Sequence, residues 1–152
     1  MDKEEMEAAL ARALDRFVND DAYLLAVDSS ERSMSHRIAV HLAIELGDYD
    51  IDCEYNRDGF DVKRLNLGER WGADDEDEAV TVFPNIIVHR RGTNDQNLLA
   101  IEIKKASALG GFEYDCAKLT AFRADLNYKW AIHVIIGNDR HGVFRRVITW
   151  IE

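Results

Sequence analysis

Apolar side chains at Met6, Ala9, Leu10, Ala13, Leu14, Phe17 and Val18 recur at helical spacing among charged neighbours, and predict an amphipathic helix over about residues 3–19. Its acids gather in the first turn, where the helix dipole favours them. The apolar run Tyr23-Leu24-Leu25-Ala26-Val27 reads as a short strand. Asp28-Ser29-Ser30 then supplies capping residues for a second helix over about 30–46, stopped by Gly47. In Tyr49-Asp50-Ile51-Asp52-Cys53-Glu54-Tyr55 apolar and acidic positions alternate, which fits a half-buried strand closed by the turn Asn56-Arg57-Asp58-Gly59.

Residues 57–80 lose this periodicity and end in Asp74-Asp75-Glu76-Asp77-Glu78, so they read as a long connection with a solvated acidic tip. A hairpin follows, with strands Thr81–His89 and Asn97–Lys105 around the polar turn 90–96. After Gly110-Gly111 a helix is predicted to about Asn127, with Leu119, Phe122 and Leu126 on one face. Trp130–Ile136 and Val143–Ile151 are two further strands. This order predicts an α/β domain with a mixed sheet flanked by helices, and the strand-helix-strand unit at 97–136 implies a right-handed parallel crossover.

The chain has 152 residues and 47% hydrophobic side chains, enough for one domain with a real core. Residues 1–28 are read as an N-terminal addition of a helix and a short strand, and 29–152 as the core. No apolar run approaches the roughly 20 residues of a membrane helix, and the start Met1-Asp2-Lys3-Glu4-Glu5 is unlike a secretory leader. Cys53 and Cys116 stand far apart without metal-ligand spacing, so a reduced, cytoplasmic setting is expected. The net charge of −10 is uneven: residues 1–83 carry −13 and residues 84–152 carry +3. The second part could therefore still face a phosphate backbone.

The chemistry centres on Leu98-Leu99-Ala100-Ile101-Glu102-Ile103-Lys104. Strand alternation puts Glu102 and Lys104 side by side on one face, and Leu99, Ile101 and Ile103 on the other. Taken alone, the pair reads first as an ordinary strand-end ion pair. The hairpin brings Pro84-Asn85 near Glu102, while Glu31 heads the helical stripe shared by Ser35, Ile38, Leu42 and Glu45. A carboxylate on an apolar stripe requires a partner or a cation, but Glu31 reads also as a first-turn carboxylate resting favourably in the helix dipole. His36 and His41 face different directions on their helix and read as solvated or packed side chains, and His89 shares a strand face with Asn85. Trp71, Trp130 and Trp150 are scattered and read as packing residues. Neither GxxxxGK[ST] nor GxGxxG is present.

Glu31 on a helix, Pro84-Asn85, Glu102-Ile103-Lys104 on the next strand and a following helix with Lys118 resemble the PD-(D/E)xK nuclease superfamily and its restriction-endonuclease-like fold. The resemblance spans about residues 30–136. Glu31–Arg37 and Cys53–Gly59 also look like segments of small uncharacterised prokaryotic members.

The resemblance implies hydrolysis of phosphodiester bonds in nucleic acid, with DNA the expected polymer, dependent on magnesium (Mg2+) or manganese (Mn2+). It implies Glu102, Asn85, the Ile103 carbonyl and Glu31 as metal ligands, and Lys104 as the residue that orients or deprotonates the attacking water. Lys118, Lys105, Arg90 and Arg91 are the expected substrate contacts.

At position 85 the family has Asp, and Asn brings no negative charge. An introduced inactivating substitution, a natural silent protein, or a carboxylate relocated to Glu54 or Asp52 would each account for it. The competing function is a catalytically silent scaffold that binds a protein partner. A homodimer or a targeting partner is expected because the chain has no separate recognition domain.

Overall fold

The computed structural model describes residues 1–55 and 83–152, together with the backbone of the two-residue strands at 57–58, 61–62, 64–65 and 80–81. Helix α1 (Lys3–Asp20) opens with a capping box in which Asp2 accepts from the Glu5 N–H and Glu5 accepts from the Asp2 N–H. Helix α3 (Glu31–Glu45) is capped by Ser30, whose hydroxyl accepts from the Ser33 N–H.

Between them the strand expected at 23–27 is instead a single helical turn, α2 (Ala22–Ala26). These five apolar residues show no alternation, and bonds such as Val27 N–H to Tyr23 C=O satisfy the backbone locally. Only Leu25 of this turn is buried, and Tyr23 faces solvent.

Five strands form one mixed sheet in the order β1 (Asp50–Cys53), β6 (Ile86–His89), β7 (Leu99–Lys105), β8 (Trp130–Asn138) and β9 (Phe144–Trp150). Only β7 and β8 run parallel, joined through α4 (Phe112–Leu126) as predicted from the pattern. The predicted strand 81–89 is broken. Val80–Thr81 (β5) pairs with Arg64–Leu65 (β4) in a separate ladder, and β6 begins only after Pro84, which has no N–H to give. A second small ladder joins Arg57–Asp58 (β2) to Asp61–Val62 (β3), within what the pattern read as connection. Asn56 and Gly59 of the predicted turn, the acidic tip and Trp71 lie outside the described residues.

The sheet separates two cores. On one face α1 and α3 bury Met6, Leu10, Leu14, Phe17, Met34, Ile38 and Leu42 against Leu99, Ile101, Ile103, Ile132, Val134 and Ile136. On the other, Leu119, Phe122 and Leu126 of α4 cover Ile87, Ala100 and Ala131. Trp130 and Trp150 pack at the border of the first core, as expected of packing residues. Among the described helices none is long and apolar enough to cross a membrane.

Buried Asn97 ties the end of α4 to the start of β7, its amide donating to the Leu126 carbonyl at 2.7 Å. Asn97→Ala leaves that carbonyl unpaired and should cost about 1–3 kcal/mol. Urea unfolding of the two proteins would measure it, and a loss below about 0.5 kcal/mol would mean that water replaces the amide at no penalty.

Candidate functional site

The pairing of β6 with β7 stops at Ile86 opposite Ile101, yet β7 continues to Lys105. Beyond that point its free edge is met by side chains. Asn85 Oδ1 accepts from the Ile103 N–H at 2.6 Å, and Glu31 Oε1 accepts from the Lys105 N–H at 3.2 Å. Within a strand, a residue's N–H and C=O point to the same edge. The Ile103 carbonyl therefore opens on the edge where Asn85 and Glu31 approach.

Glu102 and Lys104 project from the opposite side of β7 to Ile103, under α4. Glu102 is 3% exposed, and Lys118 Nζ stands 2.8 Å from its Oε1. That oxygen is buried and receives no aligned hydrogen bond. One helical turn before Lys118, on the same face of α4, Asp115 receives Lys104 Nζ and His133 Nε2, each at 3.3 Å. His133 is directly opposite Glu102 in the parallel register. Two carboxylates, two ammonium groups and an imidazole thus share a nearly dry layer between helix and sheet.

Burial pushes the Glu102 carboxyl up to about 7; the nearby Asp115 charge adds to this and Lys118 opposes it. For Asp115, burial is outweighed by the hydrogen bond with His133 and by the charges of Lys104 and Lys118, so its carboxyl lies below the ordinary value.

A hard divalent ion binds oxygen. The Asn85 amide oxygen, the Ile103 carbonyl, Glu102 and Glu31 are donors of the right type, and Oε1 of Glu102 already has a cation, the Lys118 ammonium. In charge the set is one carboxylate short, because Asn85 is neutral and Glu102 is already matched by Lys118. Among the described residues no three His, Cys, Asp or Glu side chains gather as a metal cluster.

Of the four side chains expected at the substrate, only Lys118 lies in this layer; Lys105 projects from the opposite face of β7, and the arginines are at the far end of β6. Lys105 Nζ is 3.1 Å from an Asp28 carboxylate oxygen. Arg90 and Arg91 follow the other end of β6: Arg90 lies over the Tyr49 ring, and Arg91 binds Asp50 and Asp52. His89 is at that end too, buried and 2.9 Å from Asp52 Oδ2. The candidate relocated carboxylates are both engaged. Asp52 holds His89 and Arg91, while Glu54, whose N–H reaches the Pro84 and Asn85 carbonyls, pairs with Arg32 at 3.0 Å. His41 is packed on Asp21 and His36 is exposed.

Asp115 and His133 are the residues that sequence reasoning missed. The spacing of Asp115 and Lys118 carries a signal, since positions three apart share a helix face; His133 carries none until the β7–β8 register is known. No family model, curated protein or solved structure matches this chain.

Proposed function

We propose that this chain is a restriction-endonuclease-like nuclease domain that hydrolyses phosphodiester bonds of nucleic acid, DNA foremost, and that Asn85 holds it in a weakened form. The observation that carries the reading is the meeting of Asn85, the Ile103 backbone, Glu102 and Lys104 where β6 ends and β7 runs on. Glu102, Asn85, Ile103 and Glu31 would hold Mg2+ or Mn2+. Such an ion, when bound, acidifies water and offsets charge on the phosphate.

The chain's own groups account for the remaining roles. Lys104, kept beside Asp115, presents an ammonium group that orients the attacking water and balances charge developing on the phosphate. Lys118 neutralises Glu102 and would contact phosphate from α4. A two-fold dimer or a targeting partner chain would supply the specificity that one small domain lacks.

The ion pairs themselves favour a second reading. Glu102 with Lys118 and Asp115 with Lys104 are charge-complete without any cation, as a silent scaffold that binds a protein partner would have them.

Cleavage assays on single- and double-stranded DNA and on RNA, with Mn2+ or Mg2+, separate the two. Asn85→Asp keeps an oxygen for the Ile103 N–H and adds the missing charge. It should raise cleavage by about a hundredfold, the order of effect of one well-placed electrostatic group. Adding Lys104→Ala should abolish it. Absence of cleavage by every variant, with no metal bound, would leave the scaffold.

A further inference from the structure

Helix α4 does not cover the whole of its sheet face. Its first residue, Phe112, sits edge-on against His133 with ring centroids 4.9 Å apart, and beyond His133 the face is left half-buried at Ile135 and exposed at Val147. There a groove of about 610 Å3 has Ile135 and Val147 in its floor and Leu109 in its wall. Leu109 is 65% and Val147 48% exposed. The groove adjoins the site described above, because Lys104, Ile135 and Val147 are successive cross-strand partners on β7, β8 and β9 and share one face.

The polar rim of this groove is cationic, against the charge of a chain that carries −10 overall. Arg140 and Arg145 line it with neutral His141, whose Nε2 accepts from Arg140 Nε at 3.2 Å, and with Asp139 as the single carboxylate. Asp139 is occupied in holding its own turn: it accepts the N–H groups of His141 and Val143 and the Nε of Arg145. The Arg145 side chain is 57% exposed. An apolar floor under a basic rim fits a ligand with regularly spaced anionic groups and flat apolar surfaces between them. An acidic peptide offers the charge without the flat surface, and a duplex turns its bases inward. The volume lies within the range of small-ligand pockets and suits a nucleotide or two.

We propose that this groove binds a single strand of nucleic acid, with phosphates on Arg140 and Arg145 and a base on Leu109, Ile135 and Val147, leading the strand toward Lys104. The proposal deepens the nuclease reading and rests on it for its orientation. Binding can be tested apart from cleavage.

Fluorescence anisotropy of a labelled oligothymidine 12-mer, in EDTA and about 50 mM salt, gives the affinity of the full chain. Arg140→Ala with Arg145→Ala should weaken binding at least about tenfold. It should also flatten the plot of log Kd against log salt by about 1.4, since each phosphate contact on a single strand contributes about 0.7. Val147→Asp, at an exposed position, should weaken binding similarly while circular dichroism and melting stay unchanged. Arg12→Ala, on α1, should leave Kd within about twofold.

Three results would overturn the proposal: no binding by the unaltered chain, equal binding by the groove variants, or competition by polyglutamate or a duplex as effective as that by the single strand. Binding that depends on the groove, combined with no cleavage by Asn85→Asp, would uphold the groove and remove the nuclease. Cleavage by Asn85→Asp that is indifferent to the groove variants would do the reverse.

Discussion

Replacing Lys118 by Met is expected to destabilise the protein by about 3–5 kcal/mol at pH 8, the cost of leaving a buried carboxylate without its partner. Glu102 is 3% exposed, and Lys118 is the cation paired with it. The penalty should shrink as pH falls, because Glu102 can take up a proton instead.

The sign follows from its carboxyl value, raised from 4.5 to about 7. Between those values the folded chain holds a proton that the unfolded chain has released, so acid in this window stabilises the fold. The destabilisation is complete once pH has risen past 7, and it amounts to about 3 kcal/mol. Asp21, Asp52 and Asp115 act oppositely. Their carboxyls are held below the ordinary value, so their contribution is present above about pH 4 and is lost as pH falls through the lowered values.

Stability should therefore peak near pH 5–6. Urea unfolding at pH 5.5 and pH 8 would show a decline that Lys118→Met steepens and Glu102→Gln flattens. The double variant should recover most of the loss seen in Lys118→Met, since an ion pair removed as a pair leaves no stranded charge. A loss below about 1 kcal/mol for Lys118→Met at pH 8 would mean that Glu102 reaches water.

The residues that sequence reasoning located around this pair were those whose position depends on one strand or on the hairpin it forms with its neighbour in sequence. Glu102 and Lys104 share a face because strands alternate, and Asn85 comes near them because a hairpin returns. The same hairpin excludes Arg90 and Arg91, and direction decides it: Asn85 precedes β6 and the arginines follow it, so four strand residues, about 13 Å, intervene. Asp115 and His133 required more. Their meeting with Lys104 depends on how α4 lies over the sheet and on the β7–β8 register, and neither is written in local periodicity. The same distinction runs through the fold. Long periodic segments such as α1, α3, α4, β8 and β9 were legible, whereas Tyr23–Val27 and the approach to Pro84 were decided by which backbone partners stood nearby.

Phe17→Ala is expected to cost about 3–5 kcal/mol, a large part of the 5–15 kcal/mol that holds a typical domain together. The pattern made α1 look like an addition to a core beginning near residue 29. Among the described residues Met6, Ala9, Leu10, Ala13, Leu14 and Phe17 are six of the 21 buried in the larger core, and Phe17 is fully enclosed. Without α1, the buried face of α3 would lie open to water.

The polar contacts at the rim of α1 carry much less. Arg12 and Arg16 reach Glu45, and Arg146 reaches Asp15, but at least one partner of each pair is largely exposed. Arg12→Ala should cost under about 1 kcal/mol. A chain lacking residues 1–20 should consequently fail to unfold cooperatively and should lose its near-ultraviolet circular dichroism, as a collapsed but unpacked state does. Retention of a sharp melting transition by that shortened chain would show that the sheet and α3 close a core by themselves, and would make α1 the addition that its pattern suggested.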